Sequence, residues 1–410
     1  MTRGNRSPST SAYAGPAMPD RRLSSMFAPR STKPPVSATS IGMLGAYVPD
    51  DDGLTTFAAE LRQAMLHDRP EIVISVVSAG VAAYAPEVVH GLDPAPAGSR
   101  PAAAILNQND AVILHLQTGV YGGTEGDQVL EILEWLTVPV VVVIHDVRSQ
   151  PTARQRFIVE VLTSSADAVV TLSETGRRIL LDEYRVEPRK LMKIHHGSRL
   201  PAMAPLEKDT RPRRRPRILS WGVLGPGRGV ESGLRAVAHA RRLGPAQPFY
   251  SVAGPLDATL DGPQQQAFRS SLRVLADEVG LTDSVEFEIG PLDNERLGAL
   301  IERADIILLP QAPHDPTASA ILADAITAAR PIVAAGFPYA TEILAENRGG
   351  IVADDPAELG DALTRVIRDP ELGNAMARRN EALAPALSWP VAAGQYRQLI
   401  NVLLRRPANH

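Results

Sequence analysis

Residues Arg217–Glu231 read RILSWGVLGPGRGVE. A short apolar run, RILSW, meets a glycine-rich turn, Gly222–Gly229, and then a segment, Glu231–Arg242, whose apolar residues recur at helical spacing. Strand, loop and helix in that order form the repeating unit of a parallel sheet covered by helices. Downstream the unit recurs. Strands are expected at Phe249–Gly254, Ser284–Glu288, Ala304–Leu309, Pro331–Ala334 and Gly350–Val352. Helices are expected at Gln264–Val279, Asn294–Arg303, Ser319–Ala329, Tyr339–Glu346 and from Asp355 onward. Upstream the same pattern gives strands at Ser40–Ala46, Glu71–Val77, Asp110–His115, Val138–His145 and Ala166–Leu172, with helices at Leu54–His67, Asp127–Leu136 and Thr152–Ser164. These strands are apolar without alternation, as buried parallel strands are. The fold class is therefore α/β, with two doubly wound domains in tandem. Ligands of such sheets sit at the carboxyl ends of the strands, so a cleft between the domains is the expected site.

The chain has 410 residues, 44% hydrophobic and 21% charged, with a net charge of −4. That balance exerts no whole-protein pull on nucleic acid or anionic membrane. There is no cysteine, which excludes disulfides, thiolate metal sites and cysteine nucleophiles. The longest apolar run, Val138–Ile144, is far short of the roughly 20 residues of a membrane helix. Only four lysines stand among 42 basic residues. Residues 1–38 are rich in Ser, Pro and basic residues and are expected to be a disordered tail; they lack the apolar core of a secretory signal. The proposed boundaries are 39–200 for the first domain, 201–216 for a Pro- and Arg-rich linker, 217–388 for the second domain and 389–410 for a final helix. The linker arginines lack the interleaved aromatics of a nucleic-acid patch, so no nucleic-acid partner is expected.

Gly222–Gly229 is either an ordinary strand–helix turn or a phosphate cradle at a helix N-terminus, with Arg228 as a fork for phosphate oxygens. It is neither a Walker A loop nor a GxGxxG fingerprint. In Asp315–Asp324 (DPTASAILAD), Thr317 and Ser319 are candidate N-caps. Asp324 reads as a solvated helix aspartate, or as an acceptor for sugar hydroxyls. His145 ends a buried strand, and is either functional or a satisfied core group. His115 ends another, before a glycine-rich loop, and His195–His196–Gly197 closes the first domain. None of these histidines has zinc-ligand spacing, so no metal is expected. The absence of a Gly-x-Ser-x-Gly elbow argues against a serine hydrolase.

Together these segments resemble the family-4 retaining glycosyltransferases, which have the GT-B fold: two Rossmann-like domains facing across a cleft, with a C-terminal helix crossing back to the first. The resemblance runs from IGMLGAYVPDDDGLTTF (Ile41–Phe57), LHLQTGVYGG (Leu114–Gly123), VVVIHD (Val141–Asp146), ADAVVTLSE (Ala166–Glu174) and KIHHGS (Lys193–Ser198) to GVLGPGRGVE (Gly222–Glu231). It continues through YSVAG (Tyr250–Gly254), Arg269–Phe287, ADIILLP (Ala304–Pro310), ASAILADAITAARPIVA (Ala318–Ala334) and SWP (Ser388–Pro390). The loop is similar to the GLLGPGKGIE type of an actinobacterial subgroup.

The resemblance implies transfer of a hexosyl group from a UDP- or GDP-sugar to a saccharide, lipid or small-molecule acceptor, without metal or other cofactor. It implies that His145 contacts the donor sugar and Arg228 neutralises the leaving diphosphate. Gly53, Gly222, Gly229, Ser319 and Ala320 would line the diphosphate, Ile289 would lie by the base and Asp324 would take the ribose. Asp315, His196 and His115 are further candidates. A cytoplasmic enzyme is implied, with peripheral contact at the inner face of the membrane left open. Departures from the family pattern are Val223 for an arginine, Arg228 for a lysine, His196–Gly197 for Asn-Gly, and a damaged Glu-x7-Glu pair with Pro316 and Asp324 at its ends. They leave a second reading: a degenerate GT-B protein that binds a sugar, nucleotide or protein partner without transfer.

Overall fold

A computed structural model describes residues 37–47, 53–79, 85–201, 203–204, 215–310 and 319–405. The first half forms a seven-stranded sheet in the order β3-β2-β1-β4-β5-β6-β7. Its strands are β1 (Ser40–Gly45), β2 (Val73–Ala79), β3 (Val88–Leu92), β4 (Ala111–Leu116), β5 (Val140–Ile144), β6 (Ala168–Thr171) and β7 (Leu191–Lys193). Helices α1 (Gly53–Asp68), α2 (Ser99–Leu106), α3 (Gln128–Glu134), α4 (Ala153–Ser165) and α5 (Glu174–Asp182) connect them. The second half forms a six-stranded sheet in the order β10-β9-β8-β11-β12-β13. It comprises β8 (Arg217–Trp221), β9 (Phe249–Gly254), β10 (Val285–Ile289), β11 (Ile306–Leu309), β12 (Ile332–Ala335) and β13 (Gly350–Ala353). Its helices are α6 (Val230–Leu243), α7 (Gly262–Glu278), α8 (Asn294–Arg303), α9 (Ala320–Thr327), α10 (Pro338–Asn347), α11 (Pro356–Arg368) and α12 (Pro370–Leu383), followed by α13 (Trp389–Leu404). Every strand pairing is parallel.

The reason the strands read as unbroken apolar runs is visible in the second sheet. Ile218, Ile306 and Leu308 enter the core on one face, and Leu219, Ile307 and Leu309 enter the core on the other. Side chains alternate across a strand, so covering both faces demands apolar residues at every position. Helix starts are set by local chemistry. Thr152 and Gln155 form a reciprocal capping box on α4, Asp261 and Gln264 do the same on α7, and Ser173 caps α5 by accepting from the Gly176 N–H at 2.9 Å.

In both sheets strand order reverses beside the first strand, between β1 and β4 and between β8 and β11. Those switch points open the crevice in which open sheets bind ligands. Helix α13 lies against α1, where Arg397 pairs with Asp68 and Trp389 meets Phe57 edge-on, and its Asn401 Oδ1 accepts at 2.9 Å from the N–H of Ala38, just before β1. The apolar face of α1, with Phe57, Leu61 and Met65 all buried, is thus spent on protein contacts.

Four elements escape the sequence reading. Strand β3 is a half-exposed edge containing His90 and Gly91, and β7 has three residues. Helix α2 tolerates Pro101 because the N–H of a first-turn residue has no intrahelical acceptor. Helix α5 is a nine-residue helix amid polar residues. The segment from Asp355 is two helices, α11 and α12, broken at Asp369. The expected tail at 1–38 lies outside the described residues except for its last two positions, as do most of the linker and Asp315, Pro316 and Thr317. Among the described residues no helix is long and apolar enough to cross a membrane, and no group of His, Asp and Glu could hold a metal ion.

Candidate functional site

At the carboxyl edge of the second sheet, Gly222, Gly227 and Gly229 have φ of 131°, 75° and 87°. These are left-handed conformations that favour glycine. The turn is pinned by the Gly222 N–H to Ala253 O at 3.1 Å and the Leu224 N–H to Pro255 O at 2.7 Å. Gly222 lies under Ile321 of α9, where a Cβ would stand 2.5 Å from the isoleucine Cδ1. Two helix starts, α6 and α9, are thereby brought beside one loop. Ser319 is the N-cap of α9, accepting from Leu322 N–H at 3.2 Å, and Ala320 is its first residue. Ile289 ends β10 in register with Gly254, which in turn abuts Gly222. Gly222, Gly229, Ile289, Ser319 and Ala320 therefore gather at one edge. Gly53 begins α1 at the carboxyl side of β1.

Arg228 is half exposed, and its guanidinium donates to Asp257 Oδ2 at 3.0 Å. Asp257 also accepts from the Thr259 hydroxyl at 2.7 Å and the Thr259 N–H at 3.0 Å. Those Thr259 bonds, followed by Arg228, hold its carboxyl below the usual carboxylate range. Asp257 was not a sequence candidate, because only the fold of the loop after β9 brings it to Arg228.

At the carboxyl edge of the first sheet, His115 is the penultimate residue of β4 and His145 follows β5. His115 Nδ1 lies 3.0 Å from His145 Nε2. Phe57 of α1 stands edge-on to both, with ring centroids 5.6 and 4.6 Å away, and also meets His196 at 4.9 Å and Trp389 at 4.9 Å. Burial pushes His115 down to about 3 and His145 well below its ordinary value, the latter also through its histidine neighbours. Both rings are neutral at pH 7. His196 is buried, its Nδ1 donating to Gly197 O at 2.6 Å, and Trp389 packs over Gly197 where a Cβ would collide. His196 thus packs between Phe57 and Trp389. Beside His145, Asp146 accepts from the Thr118 hydroxyl at 3.3 Å and from Arg148 Nε at 2.8 Å.

The two edges are joined by carboxylates. Asp324 of α9 is 1% exposed. Its Oδ1 accepts from Ser198 Oγ and the Arg199 N–H, both at 2.9 Å, and its Oδ2 from Arg199 Nε and Nη2, both at 3.2 Å. This corrects the reading of Asp324 as a solvated aspartate. The roughly four acceptor positions of its carboxylate are all engaged by Ser198 and Arg199. Glu60 of α1, half-buried, feels the same field; burial raises its carboxyl, Arg199 lowers it and Asp324 raises it. A second tie runs from Glu342 of α10, whose two oxygens accept from the N–H groups of Glu174 and Thr175 at 2.8 and 2.7 Å. This carboxylate caps the start of α5, where the helix dipole favours negative charge. His195 adds a contact to Tyr339 Oη at 3.2 Å. Ser198, Arg199, Glu342 and Tyr339 carried no signal as site residues, because each acts through a partner far away in the chain.

Residues 206–382 match the family described as glycosyl transferases group 1. The chain is 26% identical over 268 residues to a D-inositol 3-phosphate glycosyltransferase of Nocardioides sp., the match covering 61% of this chain and 56% of that protein. It is 26% identical over 291 residues to the alpha-D-kanosaminyltransferase of Streptomyces kanamyceticus, covering 64% and 72%. The chain thus matches about half the length of the D-inositol 3-phosphate glycosyltransferases. A glycosyltransferase from Rickettsia africae ESF-5 superposes with a TM-score of 0.67 at 13% identity, over 90% of this chain and 99% of that one. Anabaena HepE, in complex with UDP, gives a TM-score of 0.62 at 14% identity, over 87% and 98%. These likenesses show the fold, which is GT-B. The family match supports a group 1 glycosyltransferase domain in the second half of the chain.

Proposed function

We propose that this chain transfers a hexosyl group from a nucleotide sugar, UDP- or GDP-linked, to a saccharide, lipid or small-molecule acceptor, with retention of configuration and without a metal or other cofactor. The observation that carries the reading is the placement of two unlike edges. A glycine turn with Arg228 and two helix starts stands at the carboxyl edge of one sheet, and the neutral His145 stands at that of the other. Backbone N–H groups of α6 and α9 suit a diphosphate, and Gly222 and Gly229 let it approach the main chain. Arg228, released from Asp257, would neutralise the leaving diphosphate, supplying by a fixed cation what a metal otherwise supplies. The base would lie along Ile289, and Gly53 would border the phosphates from the other side. In this reading residues 39–200 carry the acceptor and residues 217–388 the donor, in the cytoplasm or at the inner face of its membrane.

The test is a transfer assay over UDP- and GDP-linked glucose and mannose, scored by NMR for the anomeric configuration of the product. We expect a retained configuration, turnover unchanged by EDTA, and loss of turnover in Arg228→Ala. A second reading, binding without transfer, draws on Val223 and on the engagement of Asp324 by Arg199. Nucleotide binding with neither transfer nor donor hydrolysis would establish that second reading instead.

A further inference from the structure

The His115–His145 contact has a direction that its surroundings decide. Strand register sets the pair: His115 lies opposite Val143 and Leu116 opposite Ile144, and the His145 N–H donates to Leu116 O at 3.0 Å. The rings tilt by 35° and meet through His115 Nδ1 and His145 Nε2. Neither ring is free to turn away. Tyr121 Oη donates to His115 O at 2.6 Å, Phe57 stands edge-on to both rings, and a Cβ on Gly45 would lie 2.9 Å from His115 Cβ.

A neutral imidazole has one N–H and one bare nitrogen. If the shared proton sat on His145 Nε2, His115 would carry its own proton on Nε2. That atom is buried and has no hydrogen-bond partner among the described residues, so an N–H would be orphaned there. If the proton sits on His115 Nδ1, only a bare lone pair is left in that position. Orphaned buried N–H groups are the rarer case. The second arrangement also fixes His145: its Nε2 accepts, so its proton is on Nδ1. That nitrogen is not a buried orphan, and among the described residues it has no hydrogen-bond partner.

We propose that His115 donates its Nδ1 proton to His145 Nε2 and so presents His145 to the cleft as a neutral donor through Nδ1, suited to an oxygen of the transferred sugar and not to accepting a proton from it. His115 is then a positioning residue. The proposal rests on the transferase reading of the cleft only for the identity of that oxygen; the proton placement stands on geometry alone.

Long-range 1H–15N correlation spectra of protein carrying 15N-histidine, at pH 7.5, distinguish the tautomers without any turnover. His115→Asn and His145→Asn spectra assign the signals. The expected pattern is a neutral His145 protonated on Nδ1 and a neutral His115 protonated on Nδ1. A His145 protonated on Nε2, or on both nitrogens, would overturn the proposal. Kinetics supply the second arm. His115→Asn keeps an N–H donor near the Nδ1 position, and His115→Leu keeps volume without the donor. We expect His115→Asn to hold kcat within about threefold, and His115→Leu to lower it about tenfold with donor KM nearly unchanged, the scale of one lost hydrogen bond. Equal loss in both folded variants, or in neither, would refute the positioning role. If the native chain transfers no sugar while the spectra show the stated tautomers, the pair stands and the transferase reading falls.

Discussion

Removing Arg199 should let the protein unfold more easily. Arg199 lies between two carboxylates, Asp324, which it binds through both Nε and Nη2, and Glu60, whose charge it screens. In Arg199→Ala, Asp324 keeps the Ser198 hydroxyl and the residue 199 N–H but is left a buried anion with no countercharge. Breaking a buried pair by removing one partner costs about 3–5 kcal/mol. Arg199 is 27% exposed, and two hydrogen bonds survive, so the lower end applies. About 3 kcal/mol, at roughly 2 °C per kcal/mol for a long chain, is a fall of about 6 °C in the midpoint. Thermal unfolding followed by circular dichroism at pH 7.5 measures the effect. The double variant with Asp324→Asn should be less destabilised than Arg199→Ala alone, since it no longer buries a lone charge. A wild-type midpoint in Arg199→Ala, or a double variant at least as destabilised as Arg199→Ala alone, would refute the reasoning.

Other consequences can be measured the same way. Glu342→Ala removes the carboxylate from the start of α5 and should cost about 1–2 kcal/mol, with Glu342→Gln recovering part of it, as read by urea unfolding. Gly45→Ala places a methyl against His115 Cβ and should cost about 1–3 kcal/mol while shifting the His115 ring signals in NMR spectra. The native protein should lose stability on mild acidification. His115, His145 and His195 have depressed values when folded, so stability is full above the unfolded value of about 6.5 and declines as pH falls toward about 4 and then 3. A midpoint that does not fall between pH 7.5 and 5 would contradict their burial as neutral rings. Asp257→Asn should leave the fold intact and loosen Arg228, seen as faster exchange of its guanidinium protons.

The fold was legible where burial acts on every residue of an element. RILSW, FYSVAG and the helix Asn294–Arg303 have in the structure the bounds their sequences suggest, because strands covered on both faces must be apolar throughout. Strand β7 and helix α5 were not legible, since three residues or a polar nine-residue stretch leave no period to detect. Of the site, Gly222–Gly229 announced itself through residues that tolerate positive φ, and His145 through its place after a buried strand. The pairing of His145 with His115, of Asp324 with Arg199, and of Glu342 with α5 was invisible. Sequence separations of 30, 125 and 168 residues carry no local periodicity, and only the folded chain brings those groups together.

The most direct test of the account is nucleotide binding at the glycine turn. The native protein and Arg228→Ala are unfolded thermally against UDP, GDP, ADP and their glucose and mannose conjugates. A ligand bound only by the folded state raises the midpoint, by about 2.7 kcal/mol of stability at a hundredfold excess over its Kd. The account predicts a rise with one nucleotide family, larger for its sugar conjugate, and little response in Arg228→Ala. No rise with any nucleotide at millimolar concentration, or an equal rise in the variant, would contradict a donor site built on Arg228 and the Gly222–Gly229 turn.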